Sequence, residues 1–126
     1  MATVLSIALF GAAGCLSRYW LSGWANRMLG HHHFPFGTLL VNLIGAFGIG
    51  LVMELSLKST MIPHNLRVAL TIGFMGGLTT FSTFSMETFS LLERGQFLAA
   101  FFNVLISVTL CLFCTWLGIL TIRSLV

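Results

Sequence analysis

The sequence from residue 73 to residue 85 reads GFMGGLTTFSTFS and lies inside an apolar stretch long enough to cross a bilayer. Five of the seven residues from 79 to 85 carry hydroxyl groups, and the glycine pair Gly76 and Gly77 comes just before them. Polar, loosened backbone at membrane depth is tolerated only where it is buried in protein or lines a cavity. The stretch therefore predicts an interrupted membrane helix and, with it, an ion site or a transport pathway.

The composition is that of a membrane protein. Of the 126 residues, 57% are hydrophobic and only 7% are charged, whereas a soluble domain carries about 25% charged residues. Stretches without Asp, Glu, Lys or Arg cover residues 1–17, 36–53, 68–86 and 96–122. Since a spanning helix needs about 20 mostly apolar residues, four spans fit into the chain and little remains for anything else.

We therefore expect an all-α integral membrane protein, a single domain over residues 1–126 with four transmembrane helices. The helices are expected at about residues 3–27, 36–57, 64–92 and 96–124, with the third broken near its middle, around residues 76–80. The first apolar stretch has no basic start and continues as helical sequence beyond Arg18, so we expect it to be retained as a span and not cleaved as a signal peptide.

Basic residues divide almost evenly between the two expected membrane faces. The face with both termini holds Lys58, Arg67 and Arg123, and the other holds Arg27 and Arg94, with Arg18 further inside the first helix. Because Lys/Arg asymmetry sets orientation, we expect insertion in both orientations and an antiparallel homodimer. The alternative is a single orientation that is fixed by weaker features.

The third helix carries groups suited to a small anion. Phe81 and Phe84 are three residues apart and share a helical face, and an aromatic ring has a positive edge. Ser82 and Thr83 add hydroxyl donors beside them. Ring edges and hydroxyls together can hold an anion without a full positive charge, although two such rings also suit packing or lipid contact.

The glycine pair has two interpretations. Backbone carbonyls that are freed at a helix break bind Na⁺ in membrane transporters, while the N-termini of half-helices favour anions. Alternatively, Gly76 and Gly77 only permit close helix packing.

Helices two and four add polar side chains at a spacing of four residues. They are Thr38 and Asn42 on helix two, and Asn103, Ser107, Cys111 and Thr115 on helix four. A membrane asparagine is costly without a partner, so it either bonds a neighbouring helix or lines a pathway. The hydroxyls either line the same pathway or bond their own helix backbone.

Other candidates have less specific interpretations. Arg18 is expected to snorkel or to cap a neighbouring helix, in preference to attracting anions. Glu87 either borders a vestibule or marks the membrane edge. We expect a solvated cluster, not a metal site, at His31–His33. No nucleophile–base pair and no phosphate loop is present, so an enzyme is not expected.

Three stretches resemble the Fluc (CrcB) family of fluoride channels: GCLSRYW at 14–20, GTLLVNL at 37–43 and GGLTTFSTFS at 76–85. The resemblance covers essentially the whole chain. It implies a dual-topology, antiparallel homodimer with two pores, which exports fluoride passively from a microbial cytoplasm across the inner or plasma membrane. The partners so implied are fluoride, membrane lipid and a second copy of the chain, with no nucleic acid.

The resemblance also implies roles for individual residues. Phe81 and Phe84 would form an aromatic box, Asn42 would line the pore, and Ser82 and Thr83 would belong to a track of hydroxyls. A structural Na⁺ at the dimer centre would be held by backbone carbonyls of Gly76 and Thr79 from both subunits.

Two further pathway residues are expected from their place on the polar faces. Thr38 shares the face of Asn42. Ser107 is the better candidate on helix four, because Cys111 stands where relatives often have serine and a thiol is the weaker donor. The alternative function is a small multidrug-type, dual-topology cation exporter, which needs a membrane carboxylate that the first helix lacks.

Overall fold

The computed structural model describes residues 1–30 and 34–125, so the prediction for His31–His33 lies outside the described residues. The described chain forms four long helical segments: α1 at Ala2–Leu29, α2 at Phe36–Lys58, α3 at His64–Glu93 and α4 at Phe97–Leu125. Each is long and apolar enough to cross a membrane. The prediction of an all-α protein with four membrane helices is confirmed.

The ends of the helices follow from local sequence. Pro35 and Pro63 directly precede α2 and α3, in keeping with the tolerance of proline near a first turn. Gly30 follows α1 with φ of 87°, and its N–H donates to the Asn26 carbonyl at 3.1 Å. Gly95, between α3 and α4, also has a positive φ of 72°. Both positions favour glycine because a side chain is strained there.

The predicted break in α3 is confirmed, but it lies just beyond the glycines. Gly76 is helical, with φ −63° and ψ −37°, whereas Thr79 and Thr80 have extended backbone. The second half of α3, Phe81–Glu93, begins directly after them, and the Thr80 hydroxyl oxygen accepts a bond from the Thr83 N–H at 3.2 Å. Thr80 is thus the N-cap of the second half, a position that threonine favours.

The first half of α3 contains an unexpected feature. Residues Ala69–Met75 form a π-helix, with short α-helical pieces at His64–Val68 and Gly76–Leu78 on either side. The wider turn is rare in proteins and often lies near functional sites. Nothing in the apolar pattern of this segment distinguishes it from ordinary helix.

Glycines bring the backbones of neighbouring helices into direct contact. A Cβ added at Gly14 would overlap the Phe74 carbonyl oxygen, and one added at Gly77 would lie 2.6 Å from the Gly11 carbonyl oxygen. Small residues commonly form membrane helix interfaces in this way. The close-packing interpretation is therefore right for Gly77. Within this chain Gly76 is not closely packed, because an added Cβ would meet nothing nearer than 3.8 Å.

Helices α2 and α4 form the other extensive contact of the bundle. A Cβ at Gly50 would overlap the Thr115 carbonyl oxygen, and one at Gly118 would overlap the Phe47 carbonyl oxygen. Near the ends of the same two helices, Arg123 Nε donates to Glu54 Oε1 at 2.8 Å. The two helices are thus fixed against each other by backbone contact and by an ion pair.

Gly14→Ala is expected to destabilise the protein by about 1–3 kcal/mol, the usual cost of overpacking, because the rigid backbone of α3 leaves no room for the methyl group. Gly23→Ala on the same helix is the matched control, since an added Cβ there meets nothing within 4 Å. Unfolding in denaturing detergent, followed by circular dichroism, measures both. Equal stability of the two variants would contradict the packing described for Gly14.

Candidate functional site

Asn42, which lies on α2, binds the backbone at the break in α3. The Thr80 N–H donates to Asn42 Oδ1 at 2.7 Å, and Asn42 Nδ2 donates to the Thr80 carbonyl at 3.3 Å. In an unbroken helix the Thr80 N–H would bond the Gly76 carbonyl. By taking over this N–H, Asn42 frees the Gly76 carbonyl oxygen. The predicted interhelical bond is therefore present, and it is made to backbone.

Arg18 caps the same break from α1. Its Nη1 donates to the Thr79 carbonyl at 3.3 Å, and its Nη2 lies 3.8 Å from Cys15 Sγ. A cation is favourable at this position because the carbonyl ends of helices carry partial negative charge. The expected capping of a neighbouring helix is thus what the geometry shows for Arg18.

The predicted pathway residues separate into two cavities, one on each side of the break. The first cavity has a volume of about 420 Å³, and its wall includes Asn42, Phe81, Phe84 and Ser107. The second has a volume of about 360 Å³, and its wall includes Arg18, Thr38, Ser82 and Thr83. Thr80 lines both cavities. Phe81 and Phe84 line the first cavity, whereas Ser82 and Thr83, which lie between them in the sequence, line the second.

The two aromatic rings lie together at the first cavity. Their centroids are 5.4 Å apart, with the ring planes tilted by 48°. Phe84 is buried at 9% exposure, whereas Phe81 is 77% exposed. One ring is therefore part of the fold of this chain, and the other projects from it.

Most hydroxyl groups of the membrane helices donate a hydrogen bond to a backbone carbonyl of their own helix. Those that donate to the carbonyl four residues earlier include Ser22, Thr71, Thr79, Ser85, Thr88 and Thr115. The back-bonding interpretation is therefore right for Thr115. The hydroxyls of the predicted pathway residues Thr38 and Ser107 donate to side chains instead, and Thr83 accepts a bond from the Thr80 hydroxyl at 2.9 Å.

The four polar residues of α4, which are Asn103, Ser107, Cys111 and Thr115, do not all line the same cavity. Asn103 is 1% exposed, and its Nδ2 donates to the Thr88 hydroxyl at 2.8 Å. It therefore joins α4 to the second half of α3 and lines neither cavity described above. Ser107, Cys111 and Thr115 line the first cavity.

Glu87 is closer to the site than its sequence position indicates. The Thr38 hydroxyl donates to Glu87 Oε1 at 2.8 Å, which joins α2 to the second half of α3. The other oxygen, Oε2, is buried and has no hydrogen-bond partner within residues 1–30 and 34–125. The only signal in the sequence was a carboxylate directly after the hydroxyl stretch. Glu87 is thus half-buried, with one carboxylate oxygen inside the bundle.

The two residues with predicted carbonyl ligands for Na⁺ lie on one wall. Gly76 and Thr79 both line the first cavity. The Gly76 carbonyl does not receive the N–H of Thr80, and a Cβ added at Gly76 would meet nothing nearer than 3.8 Å. The Thr79 carbonyl already accepts from Arg18, but a carbonyl oxygen has a second lone pair. Carbonyl oxygens are ligands that suit hard cations, so these residues fit the expected ion.

Comparison with known proteins identifies the relatives of the chain. The family model described as CrcB-like protein, Camphor Resistance (CrcB), matches residues 5–119. A protein from Trichlorobacter lovleyi, named fluoride-specific ion channel FluC, is 66% identical over 99% of each chain. Proteins of the same name from Pelobacter propionicus and Geobacter metallireducens are 64% and 63% identical, over 100% and 99% of this chain and 97% and 100% of their own lengths. The chain therefore belongs to the CrcB family.

Proposed function

We propose that this chain forms a fluoride-selective channel, which lowers intracellular fluoride by passive export across a bacterial inner membrane. The observation that carries the proposal is the first cavity, where a helix break braced by Asn42 adjoins the Phe81–Phe84 pair and the Ser107 hydroxyl. The names of the relatives support the same activity. The four apolar helices support a multi-pass membrane protein, and the names of the relatives support a channel and not an enzyme.

The mechanism follows from the chemistry of the donors. Fluoride is small and strongly hydrated, so water must be replaced in stages by donors along the path. Asn42 has one amide hydrogen beyond the one that it gives to Thr80, and ring edges add weak positive potential. Conduction requires sites that attract the ion and still release it. Neutral donors meet this requirement, whereas a fixed cation in the path would hold the ion.

The second cavity provides the approach to this path. Arg18 gives it a positive charge, and the hydroxyls of Thr38, Ser82 and Thr83 line it. Because the Arg18 guanidinium is bound to the Thr79 carbonyl, it raises the local potential without standing free in the route of the ion. We expect larger halides to be rejected, because their fit to hydroxyl and amide donors is poorer.

An antiparallel homodimer accounts for the aromatic ring, hydroxyls and backbone that this chain leaves exposed near the break. Phe81 is 77% exposed, and Ser82, Ser85 and Gly76 are exposed on the same helix. Backbone and hydroxyls at membrane depth are expected to face protein or a water-filled space. A second, inverted copy would cover this surface and complete two equivalent pathways. We propose that the Gly76 and Thr79 carbonyls of both copies hold a structural Na⁺, which would neutralise carbonyl oxygens gathered at the two breaks.

A cation exporter is the less favoured function. Its proton exchange needs a membrane carboxylate, and α1 contains none. Glu87 lies in α3 and is bound to Thr38. Relatives that are named as fluoride channels favour the anion pathway instead.

The proposed function is tested by efflux from liposomes that contain the purified protein and potassium fluoride. With valinomycin to carry potassium, a fluoride electrode should record rapid release, while vesicles loaded with potassium chloride should retain chloride. Asn42→Asp should abolish release, because a carboxylate repels the anion and cannot donate to Thr80. No fluoride release from the unaltered protein would refute the channel, and undiminished release from Asn42→Asp would remove this residue from the pathway.

Gly76→Leu tests the proposed dimer and its cation. Within one chain a Cβ at Gly76 makes only an ordinary contact, 3.8 Å from the Thr71 carbonyl oxygen, so helical content should be unchanged. At an interface between two copies, however, the leucine would hold the breaks apart and should abolish the dimer. Ala12→Leu is the matched control, since Ala12 is exposed on α1. Cross-linking in vesicles, with sodium present or replaced by a larger organic cation, measures the dimer. A Gly76→Leu protein that remains fully dimeric would contradict this arrangement.

A further inference from the structure

A third concave surface lies at the end of the bundle where α2 begins and where α3 turns into α4. It has a volume of about 800 Å³, and its wall includes Phe34, Phe36, Gln96, Phe97, Phe102 and Ile106. We call it the phenylalanine groove, since four phenylalanine rings line it. None of these residues lines either cavity at the break, so the groove is separate from the site described above.

The phenylalanine groove has the length of one membrane leaflet. It runs from Gln96, directly before α4, to Ile106 on that helix, which is about 15 Å at a rise of about 1.5 Å per residue. The hydrocarbon core of a bilayer is roughly 30 Å thick, so the groove extends over half of it from one end of the bundle. Its rings and aliphatic side chains match a hydrocarbon chain. An acyl chain of one leaflet therefore fits the groove in both length and chemistry.

The one polar side chain in the described wall of the groove is that of Gln96. Its backbone is fixed by a tight turn: the Gln96 N–H donates to the Leu91 carbonyl at 2.9 Å, and the Gly95 N–H donates to the Leu92 carbonyl at 2.9 Å. The two bonds form a Schellman motif, with Gly95 at the left-handed position. Gln96 Oε1, however, is buried and has no hydrogen-bond partner in the described part of the chain. An unpaired buried acceptor is unfavourable, so a ligand that brings a donor stabilises the turn.

Two opposite charges stand beside this amide. Glu93 and Arg94 are both exposed, and neither takes part in the ion pair found within the described residues. A headgroup with an ammonium and a phosphate complements them, because carboxylate and amide oxygens accept from an ammonium while a guanidinium donates to a phosphate. A choline headgroup carries the same two charges but has no N–H to donate. The turn therefore favours a primary ammonium.

We propose that the phenylalanine groove binds a phospholipid whose headgroup carries a primary ammonium. One acyl chain lies along the rings, and the ammonium donates to Gln96 Oε1. The lipid thus supplies the donor that the fold lacks at this position, so the protein selects the headgroup as well as the chain. This inference goes beyond the proposed channel and does not depend on it.

Native mass spectrometry of the purified, delipidated protein measures the binding, with dioleoyl phosphatidylethanolamine and dioleoyl phosphatidylcholine as the two probes. The unaltered protein should bind the ethanolamine lipid roughly tenfold more tightly, the change that one hydrogen bond to a charged group brings. Gln96→Leu should bind the two lipids equally, at the level of the choline lipid. Equal binding of both lipids by the unaltered protein, or a preference that persists in Gln96→Leu, would overturn the proposal.

Ala99→Phe tests the place of the acyl chain. Ala99 lines the groove, so the added ring should fill it and weaken the binding of both lipids. Ala8→Phe is the matched control, because Ala8 is exposed on α1 and does not line the groove. Lipid binding that is unchanged in Ala99→Phe would overturn the proposal. So would an assembly that dissociates only in Ala99→Phe, since a second copy of the chain would then be the occupant of the groove.

Thermal unfolding in nanodiscs distinguishes a lipid acceptor from a structural amide. A lipid that binds the folded protein raises its unfolding temperature, so adding ethanolamine lipid to choline-lipid nanodiscs should stabilise the unaltered protein but not Gln96→Leu. In choline lipid alone, Gln96→Leu should be at least as stable as the unaltered protein, because it removes a buried acceptor without a partner. Destabilisation of Gln96→Leu by the same amount in both membranes would make the amide part of the fold and would contradict its role in lipid binding.

Discussion

The structure depends on how the backbone groups at the break in α3 are satisfied away from water. An unpaired N–H or carbonyl in a bilayer costs several kcal/mol, so each must find a partner within the protein. The extended Thr80 obtains both of its bonds from Asn42, and the Thr79 carbonyl is bound by Arg18. These partners come from two other helices. The break is thus an irregularity that fixes the positions of α1 and α2 around α3.

The same irregularity creates the chemistry of the site. The backbone is extended at Thr79 and Thr80, and Thr80 lines a cavity on each side of this break. One side has aromatic rings and neutral donors, and the other has Arg18 and hydroxyls. Without the break, the Gly76 carbonyl would be bound within its helix, and Asn42 would have to find another partner. Fold and proposed function therefore have one physical origin.

Much of the fold is readable from the sequence because a bilayer imposes simple constraints. Four uncharged stretches predict four spans, and a glycine pair followed by threonines predicts the break. The exact place of the break depends on tertiary contacts: Gly77 stays helical against α1, while Thr80 becomes extended because Asn42 and its own capping bond hold it there. The π-helix at Ala69–Met75 and the bond between Thr38 and Glu87 arise from packing, and spacing alone does not reveal them. For the site, the sequence supplies the residue types but not their division between two cavities.

The most direct test of the central claim is the exchange of the Thr80 amide hydrogen in protein reconstituted in lipid nanodiscs and followed by NMR. If Asn42 holds the break, this amide should be protected in the unaltered protein and should exchange much faster in Asn42→Leu, which keeps the size of the side chain but removes its acceptor. The Thr79 amide, which donates to the Met75 carbonyl at 2.9 Å, should remain protected in both proteins. A Thr80 amide that exchanges at the same rate in both would contradict the account.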